Sequence, residues 1–405
     1  GNQFDTAPFP YPDINGLKNR VIYYEASRGC PFACAFCLSS ESGGYREKPV
    51  DIVKRDILTF IQAGLKIVKF VDRTFNTNRK RAIDILNFIM ANSQNTCFHL
   101  ELAPSLLDET LLACLAQAKP GIFQLELGIQ STHAPTLSAI NRREDFTAFA
   151  PKIRQLVKQQ NMHIHVDLIA GLPFEGLSEF KQSFDDVFSL GADNLQLGFL
   201  KMLKGAPLRA QAESFGIEYE VAAPYEFIKT PWLSEEDKDL LETLEYLLKR
   251  FYNSGLFKHT ILLLTRHLGS AFSVFEKLNN TIASRQIEIK KTSEMQLIDL
   301  LWRFCDDVGA DLAQEMLLFE AMNKRKRPRL PTHILTPSRR DFRKQYFKEN
   351  TIRESEQKPL FPLLFTFDIL KFMKSFTVEK ISTVLILDYS DFEHGLTIRC
   401  ANPSV

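Results

Sequence analysis

From Val21 to about Leu200, short apolar runs alternate with amphipathic stretches of helical period. The runs that read as strands are Val21–Ala26, Ile67–Val71, Cys97–Leu102, Ile122–Gly128, His163–Ile169 and Asn194–Leu200. The helices predicted between them are Val50–Ala63, Asn78–Asn92, Ser105–Ala118, Phe146–Gln160 and Leu177–Leu190. Parallel strands need long crossovers, usually helical, so this alternation implies an α/β fold with a parallel sheet. Six such units make a partial (β/α)6 barrel rather than a closed one of eight. In barrels of this kind the chemistry collects at the carboxyl ends of the strands. The segment leaving the first strand therefore lies on the active face.

That segment reads Arg28-Gly-Cys30-Pro-Phe-Ala-Cys34-Ala-Phe-Cys37. Three thiolates at this spacing can ligate three irons of one cubane, leaving the fourth iron without a protein ligand. Gly29 and Pro31 suit a loop that must wrap closely around such a group. A structural zinc site asks for four ligands, commonly two Cys-x-x-Cys pairs. No second pair exists, and the nearest histidine downstream is His99. A ferredoxin-type site would supply a fourth cysteine, and none follows at a suitable distance. The seven cysteines are an odd number in a chain without a secretion signal, which argues against a disulfide framework. Cys97, Cys114, Cys305 and Cys400 are expected to be small buried hydrophobes.

Size and composition are those of an ordinary globular protein: 405 residues, 45% hydrophobic and 24% charged. No apolar run approaches the ~20 residues that a membrane helix needs. The expectation is a cytoplasmic protein with no membrane partner. Residues 1–20, rich in proline and aromatics, read as an N-terminal strap, and 21–225 as the partial barrel. After that the texture turns helical. Residues 226–323 read as a helical domain, with Trp232–Asn253 opened by a Ser234 cap, followed by Thr260–Leu278 and Ser293–Met322. Residues 324–405 read as a basic connector and a small α/β finish, from Leu363–Phe376 and Ile381–Arg399, with Val384–Leu387 as its strand. Net charge is only +1, yet residues 321–350 hold ten Lys/Arg against two Asp/Glu. Lys324–Lys348 is therefore either a solvated connector or a nucleic-acid contact, the second being open but not favoured.

The cysteine loop, with Phe36 just before its last cysteine, resembles the signature of the radical S-adenosylmethionine (SAM) superfamily. Later segments continue the resemblance: Val68–Asn76 (VKFVDRTFN), Phe123–Ser131 (FQLELGIQS), Asn141-Arg142 and Asp167–Glu175 (DLIAGLPFE). They are similar to one subgroup, the cobalamin-binding radical SAM proteins and their methylthiotransferase and coproporphyrinogen-oxidase-like relatives. The C-terminal half is similar to the uncharacterised domain that follows the core in one cobalamin-type branch. The resemblance implies a [4Fe–4S] cluster on Cys30, Cys34 and Cys37, and an aromatic wall for adenine at Phe36. It implies that Glu101 accepts hydrogen bonds from the ribose hydroxyls, and that Gln130 and Asp167 line the methionine and ribose portion. Arg142 would pair with the SAM carboxylate and, less directly, Asp72 with its amino group. Carboxylates suit a diol, and a guanidinium suits a carboxylate. Each residue also has a plainer role open to it. Asp167 and Glu101 could pair with Arg73 or Arg142, and Arg142 could open a helix on the surface. Ser27 or Glu25 could add polar lining. Gly171 and Pro173 read as turn residues, and His163 and His165 as lining of the barrel or core.

The expected activity is reductive cleavage of SAM to methionine and a 5′-deoxyadenosyl radical that acts on an unknown small molecule or peptide. The electron would come from a flavodoxin- or ferredoxin-type donor. A tRNA-modifying methylthiotransferase-like enzyme and a non-catalytic iron–sulfur or zinc protein are the alternatives. Cobalamin-type relatives often bind that cofactor through Asp-x-His-x-x-Gly. The nearest stretch here, Asp391-Phe-Glu-His394-Gly395, has the wrong spacing. Cobalamin is thus expected only in a longer parent protein, where a methyl transfer or a rearrangement would be the further reaction.

Overall fold

The computed structural model describes residues 4, 8–41, 44–324, 330–334, 337–350, 352, 354–357, 359–390 and 396–401. The core of the basic connector, 325–329, and the stretch 391–395 compared with the cobalamin motif lie outside them. The chain forms two compact units, Gly1–Glu245 and Tyr246–Val405.

The first unit is built on a six-stranded parallel sheet: β1 (Val21–Tyr24), β2 (Ile67–Phe70), β3 (Cys97–Leu102), β4 (Phe123–Gln130), β5 (His163–Ala170) and β6 (Asn194–Phe199). The strands pair in sequence order and the sheet does not close. This is the open (β/α)6 arrangement that the alternation implied. The main crossover helices are α1 (Val50–Gln62), α2 (Arg79–Asn92), α3 (Glu109–Leu115), α4 (Phe146–Gln159) and α5 (Leu177–Phe188). The expected helix Ser105–Ala118 is divided. A 3-10 turn covers Pro104–Leu106, and Asp108 then caps α3 by accepting from the Leu111 amide.

Period-2 alternation gives the sheet two unlike faces. Along β4, Phe123, Leu125, Leu127 and Ile129 are buried, while Gln124, Glu126, Gly128 and Gln130 alternate with them. Along β5, Ile164, Val166, Leu168 and Ala170 are buried. The crossover helices contribute buried side chains such as Ile57 and Phe60 of α1, Ile85 of α2, Ile153 of α4 and Phe184 of α5. The other face carries Lys69, His99, Glu101, Gln124, Glu126, His165 and Asp167. A closed barrel commonly fills that space with branched apolar side chains; this one is polar, and His165 lines it beside His99.

The second unit is helical, with α6 (Glu235–Leu248) leading into it. Ser234 caps α6 reciprocally with Asp237, and a π-helical turn, Lys249–Asn253, ends the segment expected as one helix. Thr260–Leu278 and Ser293–Met322, both expected to be helical, each hold two helices. Gly269 at φ +79° separates α7 (Lys258–Leu268) from α8 (Ala271–Ser284). Gly309 at φ +68° separates α9 (Glu294–Val308) from α10 (Asp311–Met322). Glycine in the left-handed region ends a helix at little cost, and that outweighs the continuing apolar period.

The chain then forms α11 (Pro337–Glu349) and an antiparallel sheet of β7 (Leu360–Phe365), β8 (Thr383–Asp388) and β9 (Thr397–Ala401), with α12 (Ile369–Ser375) between the first two. Leu363–Phe376 was expected as helix, but its first residues pair in β7. Cys114 and Cys305 are buried as expected. Cys97 is only half-buried and Cys400 is exposed, the latter on β9, none of whose residues is buried. Among the described residues no helix is long and apolar enough to cross a membrane.

Candidate functional site

The chain leaves β1 into a loop pinned at both ends. At its start, the Ala26 amide and Ser27 hydroxyl donate to Asp72 at 2.9 and 2.5 Å, and the Ala26 carbonyl accepts from Lys48 and Arg81. Burial pushes the Asp72 carboxyl up to about 6, against the donors that hold it down. Gly29 then turns the chain at φ +86°. At the far end, the Ala35 amide donates to the Ile140 carbonyl, the Leu208 amide donates to the Ala35 carbonyl, and Asn141 Nδ2 donates to the Ala33 carbonyl at 2.8 Å.

This pinning brings Cys30, Cys34 and Cys37 to the wall of one cavity, together with Phe36. None of the three is in a disulfide. Cys30 Sγ lies 3.3 Å from Thr74 Oγ1, and Cys37 Sγ accepts from the Ser39 amide. Burial pushes the Cys34 thiol up to about 11; Arg142 opposes that shift, and the other two thiols add to it. The thiols are thus within electrostatic reach of one another. Among the described residues, however, no three His, Cys, Asp or Glu side chains converge on a single ion. Three thiols on one loop are the donor set that a cubane takes at separate corners, one short of the four ligands of a structural zinc site.

Glu101, Gln130, Arg142 and Asp167 line the same cavity. Asp72 does not line it; that carboxylate serves the base of the loop instead. Ser27 is taken up by Asp72, and Glu25 pairs with Arg28 at 2.5 Å. Gln130 is set by an irregularity at the end of β4, where the pairing with β5 shifts between Gly128 and Gln130 and Gln130 takes φ +74°. Such strain in a non-glycine residue persists only where its surroundings enforce it, commonly at functional sites. The Gln130 amide folds back over Gly128, whose absent side chain makes room: a Cβ there would lie 2.5 Å from Gln130 Nε2. Arg142 already has a resident carboxylate. Its Nε donates to Glu144 at 2.7 Å and a terminal nitrogen to the Gly128 carbonyl at 2.6 Å.

The polar sheet face forms the remaining wall. Lys69 Nζ is 2.9 Å from Glu126 and 3.8 Å from Glu101. His99 Nε2 approaches Glu126 to 2.8 Å, off the line of a good hydrogen bond. Gln124 Nε2 reaches His165 at 3.2 Å and His99 at 3.4 Å, and Gln196 donates to Asp167 at 2.8 Å. The carboxyls are pushed apart. His99 and Lys69 hold Glu126 down at about 2. Burial, and then the charge of Glu126, raise Glu101 and push Asp167 up to about 8. Divergent carboxyls in a cleft mark a functional site. Glu126, Lys69 and Glu144 went unnoticed in the sequence. Counting in twos back from Gln130 along its strand leads to Glu126, the one signal that was available.

An open parallel barrel with three cysteines on the loop after its first strand defines a class, the radical SAM enzymes, and comparison with known proteins agrees. Residues 24–187 match the radical SAM superfamily. Residues 213–395 match a family described only as a protein of unknown function, DUF4080. The chain is therefore a radical SAM domain followed by a DUF4080 domain. It is similar to protein YhcC of Escherichia coli K12, at 34% identity over 29% of this chain and 39% of that protein. It is also similar to the cobalamin-dependent radical SAM methyltransferase TokK of Streptomyces tokunonensis, at 23% identity over 56% of this chain and 34% of TokK. The chain thus spans well under half the length of these curated relatives. Among solved structures, the cobalamin-dependent radical enzyme OxsB with aqua-cobalamin and SAM aligns at 13% identity and a TM-score of 0.49, over 88% of this chain and 60% of OxsB.

Proposed function

We propose that this chain binds a [4Fe–4S] cluster through Cys30, Cys34 and Cys37 and cleaves SAM reductively. The observation that carries this is one cavity lined by all three cysteines together with Glu101, Gln130, Arg142 and Asp167. When bound, the cluster supplies the electron that breaks the sulfur–C5′ bond of SAM, giving methionine and a 5′-deoxyadenosyl radical. The chain's own residues bind and orient. The three cysteines hold three irons and leave one without a protein ligand. Glu101 accepts from a ribose diol, Gln130 offers an amide donor and acceptor, and Arg142, braced by Glu144, presents its guanidinium to a carboxylate. Glu126 stays ionised on the wall, where it favours a cationic ligand. Phe36 gives the adenine an apolar surface.

A low-potential donor of flavodoxin or ferredoxin type would supply the electron. Relatives named as methyltransferases, TokK among them, point to methyl transfer as the further chemistry, with cobalamin held by a longer parent protein. Anaerobically reconstituted, dithionite-reduced chain is expected to release 5′-deoxyadenosine from SAM, and Cys34→Ala to release none. Zinc without iron or sulfide in the purified protein would overturn the reading.

A further inference from the structure

Over the whole chain, cations and anions nearly balance, 50 against 49. The helix α11 departs from that balance. It carries Arg339, Arg340, Arg343, Lys344 and Lys348 against Asp341 and Glu349. Two of its cations turn inward. The Arg339 guanidinium lies 5.0 Å over the Trp302 ring and donates to the Ile334 carbonyl. The Arg343 guanidinium lies 5.2 and 5.0 Å over Phe347 and Phe361 and donates to the Gln357 and Leu360 carbonyls. These arginines fasten the helix to its neighbours.

The other three, Arg340, Lys344 and Lys348, recur every fourth residue. They form one stripe, with steps of about 6 Å along the axis. The stripe edges a groove of about 690 Å³ with Phe347 buried in its floor, and none of the described residues lining it is acidic. Like charges four apart destabilise a helix; Asp341, 3.9 Å from Lys344, offsets part of that.

The geometry points to this groove as a binding site for the phosphate backbone of single-stranded nucleic acid. The cations are strung along two helical turns rather than converging on a point, which suits a chain of phosphates and not one free phosphate. A membrane-surface helix needs an exposed apolar face, yet Phe347 is buried, Phe342 half-buried, and no large hydrophobic of α11 is exposed. Protein interfaces are depleted in lysine at their centres, whereas two of the three cations here are lysines. A cationic groove that tracks the backbone is the usual device for single strands. This site stands apart from SAM cleavage and does not depend on it.

The test is fluorescence anisotropy of a labelled, mixed-sequence single-stranded RNA with the full chain, titrated at rising potassium chloride. Three phosphate contacts give a slope of log affinity against log salt of about −2. Lys344→Glu with Lys348→Glu is expected to weaken binding to all sequences alike and to flatten the slope by about 0.7 for each lysine. Lys344→Arg, and Lys290→Glu on an exposed turn away from the groove, are expected to bind as the unaltered chain does. Far-UV circular dichroism checks that each variant keeps its fold. Absence of RNA binding at low salt, a double variant that binds normally, equal loss in Lys290→Glu, or preference for phosphatidylserine vesicles over RNA would each overturn the proposal.

Discussion

At the scale of single residues, the cavity separates three carboxyls that share one face of the sheet. Glu126 is kept ionised by His99 and Lys69, and its charge, together with burial, pushes Asp167 up to about 8. Below that pH Asp167 keeps its proton in the ligand-free cavity. Above it the group ionises and adds a negative charge beside the site proposed for a sulfonium cation. SAM affinity is therefore expected to rise as the pH climbs through about 8. The gain is about tenfold if binding lowers the Asp167 pKa by one unit. Asp167→Asn should flatten the profile at its low-pH level, as isothermal titration calorimetry across that range would show. A profile unchanged in Asp167→Asn would remove the residue from the site. The cysteines were legible in the sequence because all three lie within one short loop. Glu126, Lys69 and Glu144 were not, because their meeting depends on strand register and on a turn that returns Arg142 to the sheet. Asp72 was read toward the ligand from its place after a strand, but burial and the Ala26 and Ser27 donors bind it to the base of the loop.

At the scale of elements, the strand–helix rhythm gave the first unit its order, because each parallel strand needs a crossover long enough to be seen. Breaks were harder to see in the second unit, where Gly269 and Gly309 interrupt apolar periods that run on past them. The loop after β5 shows how strongly one glycine can constrain an element. Gly171 sits at φ +90°, and a Cβ there would lie 2.5 Å from the Phe227 ring. Both the backbone conformation and the space exclude a side chain. Gly171→Ala is expected to destabilise the protein by about 3 kcal/mol, combining overpacking with left-handed strain. Urea unfolding would measure it. A loss no larger than that of an ordinary surface substitution would show that Phe227 moves aside freely.

At the scale of the whole molecule, a radical SAM domain carries the proposed chemistry, and a DUF4080 domain follows it along the chain. The sequence announced the first through its cysteine loop and alternating strands. It said less of the second, whose helices and small antiparallel sheet carry no comparable motif. Everything proposed for the first domain requires that three thiolates leave one iron of a cubane open to SAM. Electron paramagnetic resonance of the reconstituted, reduced chain, recorded with and without SAM, tests this directly. The expected result is a [4Fe–4S] signal whose g-values shift when SAM is added. A cluster signal indifferent to SAM would mean that no iron is open to it, and would contradict the account.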